Sequence, residues 1–361
     1  MMNYSFFEPR GEMKMKKILS VKAIALPLCL LGAAALVGFS AQVRSGVQEG
    51  LSICGETLIP SLFLFLCLCN IAVEYSAQPL PGFSLLYSRL FHLPAQTAAL
   101  FLLAMLGGYP IGPMLAARLL EMGAITPAQA QRLPLFCCAS GPAFCILAVG
   151  EGMCRSKSIG YILYAACLLA QITLGLVLSL FWRKKEDCKV EKFYKEAAPF
   201  SAVLCRSVES ATSAMLGICA YVILFNVLLY LLSLVPISES ALDYCGALLE
   251  VTTGCLRFRE QIPTLAAILG WGGFSVFFQI KKYLLLTGTK SGYFLLARAA
   301  AALLSFAYCL LLMRLFHPAI PTLAPGMQLK AVSYSAPLSA ALVLCTAAFV
   351  LDNKRGKLLS N

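Results

Sequence analysis

Polar residues able to bind a solute lie beside glycine in four short segments of an otherwise apolar chain. The most informative segment runs from Leu248 to Gly254 and holds a carboxylate, two hydroxyls and a glycine: Glu250, Thr252, Thr253 and Gly254. A broken helix exposes backbone groups and the end of a helix dipole, which can bind a polar solute or a cation. This segment therefore predicts a binding site.

The other three segments combine glycine or proline with polar side chains. Both residues interrupt helical hydrogen bonding, and inside a membrane the freed backbone groups must be satisfied by protein or water. We therefore predict that all four segments meet in one substrate-binding site. The predicted residues outside the first segment are Gly107, Gly108, Tyr109, Pro110 and Gly112; Ser140, Gly141 and Pro142; and Gly272, Gly273, Ser275 and Gln279.

These residues also have structural interpretations. Glu250 could lie at the membrane surface and pair with Arg257 and Arg259. Gln279 could form a hydrogen bond between packed helices, and Gly272 could simply allow close helix approach. The functional interpretation is favoured for Glu250, because a charge within hydrocarbon costs about 2.5 to 3.5 kcal/mol on insertion scales.

Catalysis and metal binding are disfavoured by the residues that they would need. The segment Ala139-Ser140-Gly141 has a superficial likeness to a buried serine nucleophile, but a serine needs a base. The two histidines, His92 and His317, lie at the ends of apolar blocks. Most of the 16 cysteines lie inside such blocks, and neither Cys67-x-Cys69 nor Cys137-Cys138 has a second cluster nearby. We predict no enzyme, no metal site and no cofactor.

The elements that must position these residues are membrane helices. Hydrophobic residues form 60% of the chain and charged residues 13%, unlike soluble domains. The apolar residues fall in blocks of about 18 to 25, which is the helix length that crosses about 30 Å of hydrocarbon. The sequence thus predicts an all-α polytopic membrane protein surrounded by the lipid bilayer. The blocks are 21–40, 57–75, 96–116, 133–150, 159–182, 214–235, 262–280, 292–316 and 334–351, with a shorter stretch at 245–255.

The formal charge of +12 does not indicate nucleic acid. The basic residues lie beside the ends of apolar blocks, which is the positive-inside pattern of cytoplasmic loops. We therefore predict no nucleic-acid partner and place both termini in the cytoplasm. The basic groups are Lys14, Lys16, Lys17 and Lys22; Arg183, Lys184, Lys185, Lys189, Lys192 and Lys195; Lys281, Lys282 and Lys290; and Lys354, Arg355 and Lys357.

The orientation of these basic groups constrains the number of crossings. Five blocks separate the N-terminus from the basic loop at 183–198, but an even number must join two cytoplasmic segments. One block is therefore re-entrant or broken, and the candidates are 96–116 and 133–150. Four further crossings return the C-terminus to the cytoplasm. The result is about eight crossings plus half-helices, arranged as two inverted-topology repeats.

The predicted organisation follows from this count. A cytoplasmic N-terminus and a leading helix precede the first repeat, the basic loop separates the two repeats, and a last helix and tail follow. The boundaries are 1–20, 21–40, 41–182, 183–198, 199–316 and 317–361.

The four interrupted segments also resemble a known family. In this order, and over roughly 46–316, they are similar to the YlbJ-like family of sporulation integral membrane proteins, within the wider nucleoside-recognition (Gate) domain group. The departure is Cys137-Cys138-Ala139, where the family is expected to have an asparagine-rich approach to Ser-Gly-Pro. The resemblance implies a multi-pass protein of a bacterial cell membrane that acts in endospore formation.

Two functions remain open from the sequence. The first is a transporter or gate for an unknown small polar solute, nucleoside-like or other, needed for the spore cortex. The second is a non-transporting membrane scaffold for spore assembly. The longest exposed loop has about sixteen residues, 183–198, which favours a membrane-embedded site over a scaffold. A homo-oligomer is compatible with either function.

Overall fold

The computed structural model describes residues 26–27, 29–75, 82–95, 97–181 and 199–316, and their regular structure is helical throughout. The predicted N-terminal segment 1–20, the basic loop 183–198 and the last helix at 334–351 lie outside these residues. The first described helices are α1 (Cys29–Gly38), α2 (Ser40–Ile53), α3 (Ile59–Tyr75), α4 (Phe83–Phe91), α5 (Thr97–Gly107), α6 (Ile111–Glu121) and α7 (Pro127–Phe136).

A π-helix, Ala143–Met153, follows α7, and a shorter π-turn, Cys54–Leu58, joins α2 to α3. The remaining helices are α8 (Lys157–Phe181), α9 (Phe200–Leu232), α10 (Glu239–Leu249), α11 (Val251–Arg257), α12 (Ile262–Trp271), α13 (Gly273–Thr287) and α14 (Ser291–Phe316). Helix α9 begins fourteen residues before the apolar block predicted at 214–235, because the amphipathic stretch before that block continues the same helix.

Five described helical stretches are long and apolar enough to cross a membrane. Two of them contain an interruption, the π-turn in the first and Gly272 in the fourth. The multi-pass helical class predicted from the apolar blocks is therefore confirmed. The stretches are Ser40–Ala72, Lys157–Phe181, Phe200–Leu232, Ile262–Thr287 and Ser291–Phe316.

Helices α2 and α9 pack backbone against backbone. A Cβ atom built on Gly46 would lie 2.8 Å from the Cα of Val227, and one built on Gly50 would lie 2.8 Å from the Cα of Ile223. Small residues permit this approach, which is a common means of helix association in membranes. The Tyr230 hydroxyl donates a 2.6 Å hydrogen bond to Glu49 across the same interface.

Helix α8 packs against α12 and α14. The hydroxyls of Thr173 and Tyr308 share a 2.6 Å hydrogen bond between α8 and α14. The shorter interrupted helices lie between two long pairs, which are α2–α3 with α9 and α8 with α14.

Two pairs of short helices fold back on themselves. In the first hairpin, α5–α6, a Cβ on Gly112 would lie 3.0 Å from the Cβ of Ala104, eight residues earlier. In the second hairpin, α10–α11, Arg257 forms an ion pair with Asp243, fourteen residues earlier. Neither contact is possible along a continuous helix, which rises 1.5 Å per residue. Both pairs therefore reverse direction at their tips.

Two other helices are broken. Residues 137–141 are not helical and separate α7 from the π-helix; we call them the first break. The second break is Gly272, between α12 and α13, where φ is +84°. A left-handed residue at this point is readily supplied by glycine.

Candidate functional site

The tip of the first hairpin packs on the first break. A Cβ on Gly141 would lie 2.7 Å from the carbonyl oxygen of Leu106 and 3.0 Å from the amide nitrogen of Gly108. One on Gly112 would lie 1.6 Å from the carbonyl oxygen of Cys137. No side chain fits at Gly112, so this glycine is required for the contact.

The tip of the second hairpin packs on the second break. Gly273 has a φ of +81°, and a Cβ there would lie 3.1 Å from the carbonyl oxygen of Leu249. The Trp271 indole N–H donates a 3.1 Å hydrogen bond to the carbonyl of Leu248. Each hairpin tip is therefore held by the broken helix that follows it in the sequence.

Tyr109 joins the two halves of the site. It lies at the tip of the first hairpin, and its hydroxyl donates a 2.6 Å hydrogen bond to the carbonyl of Leu269, just before the second break. Its ring faces Gly272, where a Cβ would lie 3.2 Å from Cε1. The Ser140 side chain lies next to the same hydroxyl. The structure thus brings together all four segments that the sequence predicts.

A cavity of about 60 Å³ lies where the four segments meet. Much of its wall is apolar and comes from helices that the sequence analysis did not assign to the site: Leu58, Leu62, Phe65 and Leu66 on one side, and Ile218 and Val222 of α9 on another. Eight of the predicted residues line it, namely Gly107, Gly108, Tyr109, Pro110, Gly141, Glu250, Thr252 and Gln279.

The other eight predicted residues belong to the same segments but do not line the cavity. Thr253 and Gly254 lie inside α11, whereas Gly272 and Gly273 form the second break. Ser275 is fully buried, and its hydroxyl has no hydrogen-bond partner among the described residues. Gly112, Ser140 and Pro142 support the first break. These residues shape the site rather than face its interior.

Glu250 separates the two helices of the second hairpin. It is 1% exposed, and its carboxylate caps α11 by accepting a 2.6 Å hydrogen bond from the Thr253 amide. The Thr253 hydroxyl donates to Asn226 of α9 over 3.3 Å. Because Arg257 pairs with Asp243 instead, the surface charge pair between Glu250 and Arg257 considered from the sequence is wrong.

Arg298 is the buried charge that the sequence analysis missed. It lies in the membrane-length helix α14, is 1% exposed, and donates hydrogen bonds to three groups. These are the carbonyl of Leu135 at 2.8 Å, the Gln171 side-chain oxygen at 2.9 Å and the carbonyl of Cys138. Leu135 and Cys138 flank the C-terminal end of α7, where the negative end of a helix dipole favours a cation.

The signal for Arg298 was present in the sequence. Arg298 lies seven residues into an apolar block whose other charged residue, Arg314, is near the end, and an ionisable residue at such depth is a functional candidate by default. At the first break the chain has Cys137-Cys138 where the family is expected to have asparagines. The polar contact there is formed by the backbone carbonyl of Cys138, which accepts a hydrogen bond from Arg298, and not by a side-chain amide.

The fold and the site define an α-helical, multi-pass integral membrane protein with a largely apolar cavity at interrupted helices, which Glu250 lines. Among curated proteins, the chain is similar to the sporulation integral membrane protein YlbJ of Bacillus subtilis (strain 168). The two are 25% identical over 317 residues, which covers 75% of this chain and 78% of the relative. The predicted resemblance to the YlbJ-like family is therefore confirmed.

No family model matches the chain, and no solved structure matches it. The assignment to the Gate domain group thus stays a prediction.

Proposed function

We propose that this protein is a transporter or gate for a small polar solute that is needed during spore formation. The observation that carries the proposal is the convergence of two hairpin tips and two helix breaks on one cavity. Interrupted helices at membrane depth place unpaired backbone groups where a solute can replace water. Many transporters bind their solutes at such interruptions. The similarity to a sporulation membrane protein supports the cellular process.

We further propose that the two halves form an inverted-topology repeat. Each half contains, in order, a long helix, a hairpin, a broken helix and another long helix. The first half comprises α2–α3, α5–α6, α7 with the π-helix, and α8; the second comprises α9, α10–α11, α12–α13 and α14. If the hairpin α5–α6 is re-entrant, four crossings join the two cytoplasmic basic segments. The hairpins then enter from opposite faces of the membrane and meet at their tips.

The size of the cavity limits what the described conformation can hold. Sites for drug-sized ligands occupy about 300 to 1,000 Å³, so a nucleoside does not fit within about 60 Å³. A nucleoside-like solute would require the hairpin tips to separate. Each tip is held largely by close backbone contacts and a few hydrogen bonds, so we propose that hairpin movement opens the site.

A non-transporting scaffold for spore assembly is the second candidate. It requires a surface for partner proteins, and the basic segment 183–198 is the longest polar interval in the chain. The scaffold predicts that substitutions at the hairpin tips are tolerated and that changes in 183–198 are not. Transport predicts the reverse. We propose no catalytic role, because no histidine lies within an apolar block of the sequence to activate Ser140.

Uptake by proteoliposomes tests the proposal. Purified full-length protein is reconstituted, and the uptake of radiolabelled nucleosides and other small polar solutes is compared with that of protein-free vesicles. We expect at least one solute to enter faster with the protein, and a Gly273→Leu variant to lose this uptake. A folded protein that neither binds nor moves any of the solutes would contradict the proposal.

A further inference from the structure

We propose that the cavity beside Glu250 binds a small monovalent cation, which neutralises the buried carboxylate. This inference rests on the proposed transport function, since the cation would occupy the same cavity. It adds a ligand class that the solute proposal does not name.

The charges around the cavity are unbalanced. Among the residues that the structure describes, Glu250 is the one formally charged side chain that lines the cavity, and no Lys, Arg or His lines it. Among the described residues, Arg257 pairs with Asp243, and Arg298 binds backbone carbonyls and Gln171. An ionised carboxylate without a counter-charge in an apolar surrounding costs several kcal/mol. The amide and hydroxyl groups of Thr252 and Thr253 around the carboxylate offset only part of that cost.

Several residues that line the cavity carry side-chain oxygen atoms. The carboxylate of Glu250, the hydroxyl of Thr252 and the amide group of Gln279 all belong to lining residues. The half-buried Gln279 side chain forms no hydrogen bond with the described part of the chain, so its oxygen is available. Side-chain and unwound-backbone oxygens at a broken helix are the groups that bind alkali cations in transporters.

The size of the cavity and its single carboxylate together favour a small monovalent ion. A volume of about 60 Å³ accommodates an ion with one or two waters, since each water takes about 30 Å³ in the liquid. A divalent ion is disfavoured, because Ca²⁺ takes six to eight oxygens and usually several carboxylates. One carboxylate matches one positive charge. The ligand class is therefore a small monovalent cation, with Na⁺ as the probe.

Thermal unfolding of the purified full-length protein in detergent tests the site. NaCl replaces N-methyl-D-glucamine chloride at constant ionic strength and pH, and the unfolding temperature is followed as Na⁺ rises. We expect the wild-type unfolding temperature to rise and to saturate, and Glu250→Gln to abolish the rise. Glu239→Gln is the matched control, because this exposed acid begins the same hairpin; it should respond like wild type.

Two outcomes would overturn the site: no Na⁺-dependent shift in the wild type, with KCl and LiCl equally inactive, or a full shift retained in Glu250→Gln. If Glu250→Gln does not fold, Gln279→Leu decides the question. Loss of one oxygen ligand should raise the Na⁺ concentration that gives half of the maximal shift in unfolding temperature about tenfold. An unchanged concentration would count against the site.

The cation site and solute transport can fail separately. A Glu250-dependent Na⁺ shift without uptake of any solute would keep the cation site and reject the proposed transport. Uptake that depends on the hairpin tips, without any cation shift, would keep transport and reject the cation site.

Discussion

Tyr109 and Leu269 are 160 residues apart in the sequence and are joined by a 2.6 Å hydrogen bond from the tyrosine hydroxyl to the leucine carbonyl. This contact links the tip of the first hairpin to the last turn of α12. It connects the two halves directly at the cavity. Any movement of the first hairpin tip away from α12 must break it.

Replacement of Tyr109 by Phe should therefore loosen the cavity without removing the ring. We expect the free energy of unfolding to fall by about 1 kcal/mol, which is the usual net value of one hydrogen bond. The rate of solute uptake should change as well, because the conformation in which the hairpin tips meet loses the hydrogen bond between Tyr109 and Leu269. Thermal unfolding and proteoliposome uptake measure the two effects. Tyr161→Phe, at an exposed position on α8, is the control; equal effects in both variants would refute a special role for Tyr109.

Gly112 should tolerate no side chain. The Cβ of alanine would lie 1.6 Å from the backbone oxygen of Cys137, and a backbone atom cannot rotate away. We expect Gly112→Ala to destabilise the protein by about 3 kcal/mol or more and to lower its amount in the membrane. Gly217→Ala is the matched control, because no atom of the described residues lies within 4 Å of its added Cβ. That variant should be as stable as wild type or about 1 kcal/mol more stable.

Arg298 should hold the first break in place. Arg298→Met leaves the carbonyls of Leu135 and Cys138 and the Gln171 oxygen without their donor, so we expect a loss of about 3 to 5 kcal/mol. Arg298→Lys should recover only part of it, since an ammonium lacks the forked geometry of the guanidinium. The buried thiols of Cys137 and Cys138 report on the break: alkylation mapped by mass spectrometry should be faster in Arg298→Met. Unchanged alkylation would show that the arginine does not hold this segment.

The topology of the second half can be tested directly. Positive-inside charge places Lys281, Lys282 and Lys290 in the cytoplasm, so the turn at Glu260 should face the other side. An epitope inserted after Glu260 should bind antibody on intact cells, and one inserted after Gly288 should bind only after permeabilisation. The opposite pattern would reject the proposed orientation of the second hairpin.

The helical membrane class was predictable because long apolar blocks leave little choice of structure in a bilayer. The interrupted segments were predictable for a similar reason, since Gly107-Gly108 and Ser140-Gly141-Pro142 cannot continue a regular helix. The sequence also supplied the resemblance to the YlbJ-like family.

The contacts across the cavity were not predictable from a single sequence. Nothing near Tyr109 indicates a partner 160 residues away, and the apolar wall formed by Leu62 and Ile218 looks like any lipid-facing surface. The sequence also left open which block folds back. The contact between Ala104 and Gly112 settles that α5 and α6 form a hairpin, and it arises from packing rather than from local composition.

If the cavity at the hairpin tips carries the function, Glu250→Gln in the native host should impair spore formation. Heat-resistant spores are counted, and an immunoblot confirms that the protein reaches the membrane at the wild-type amount. Spore numbers should fall while the protein amount holds, and Glu239→Gln should behave like wild type. Wild-type spore numbers from Glu250→Gln would show that the cavity does not carry the function and would favour the scaffold.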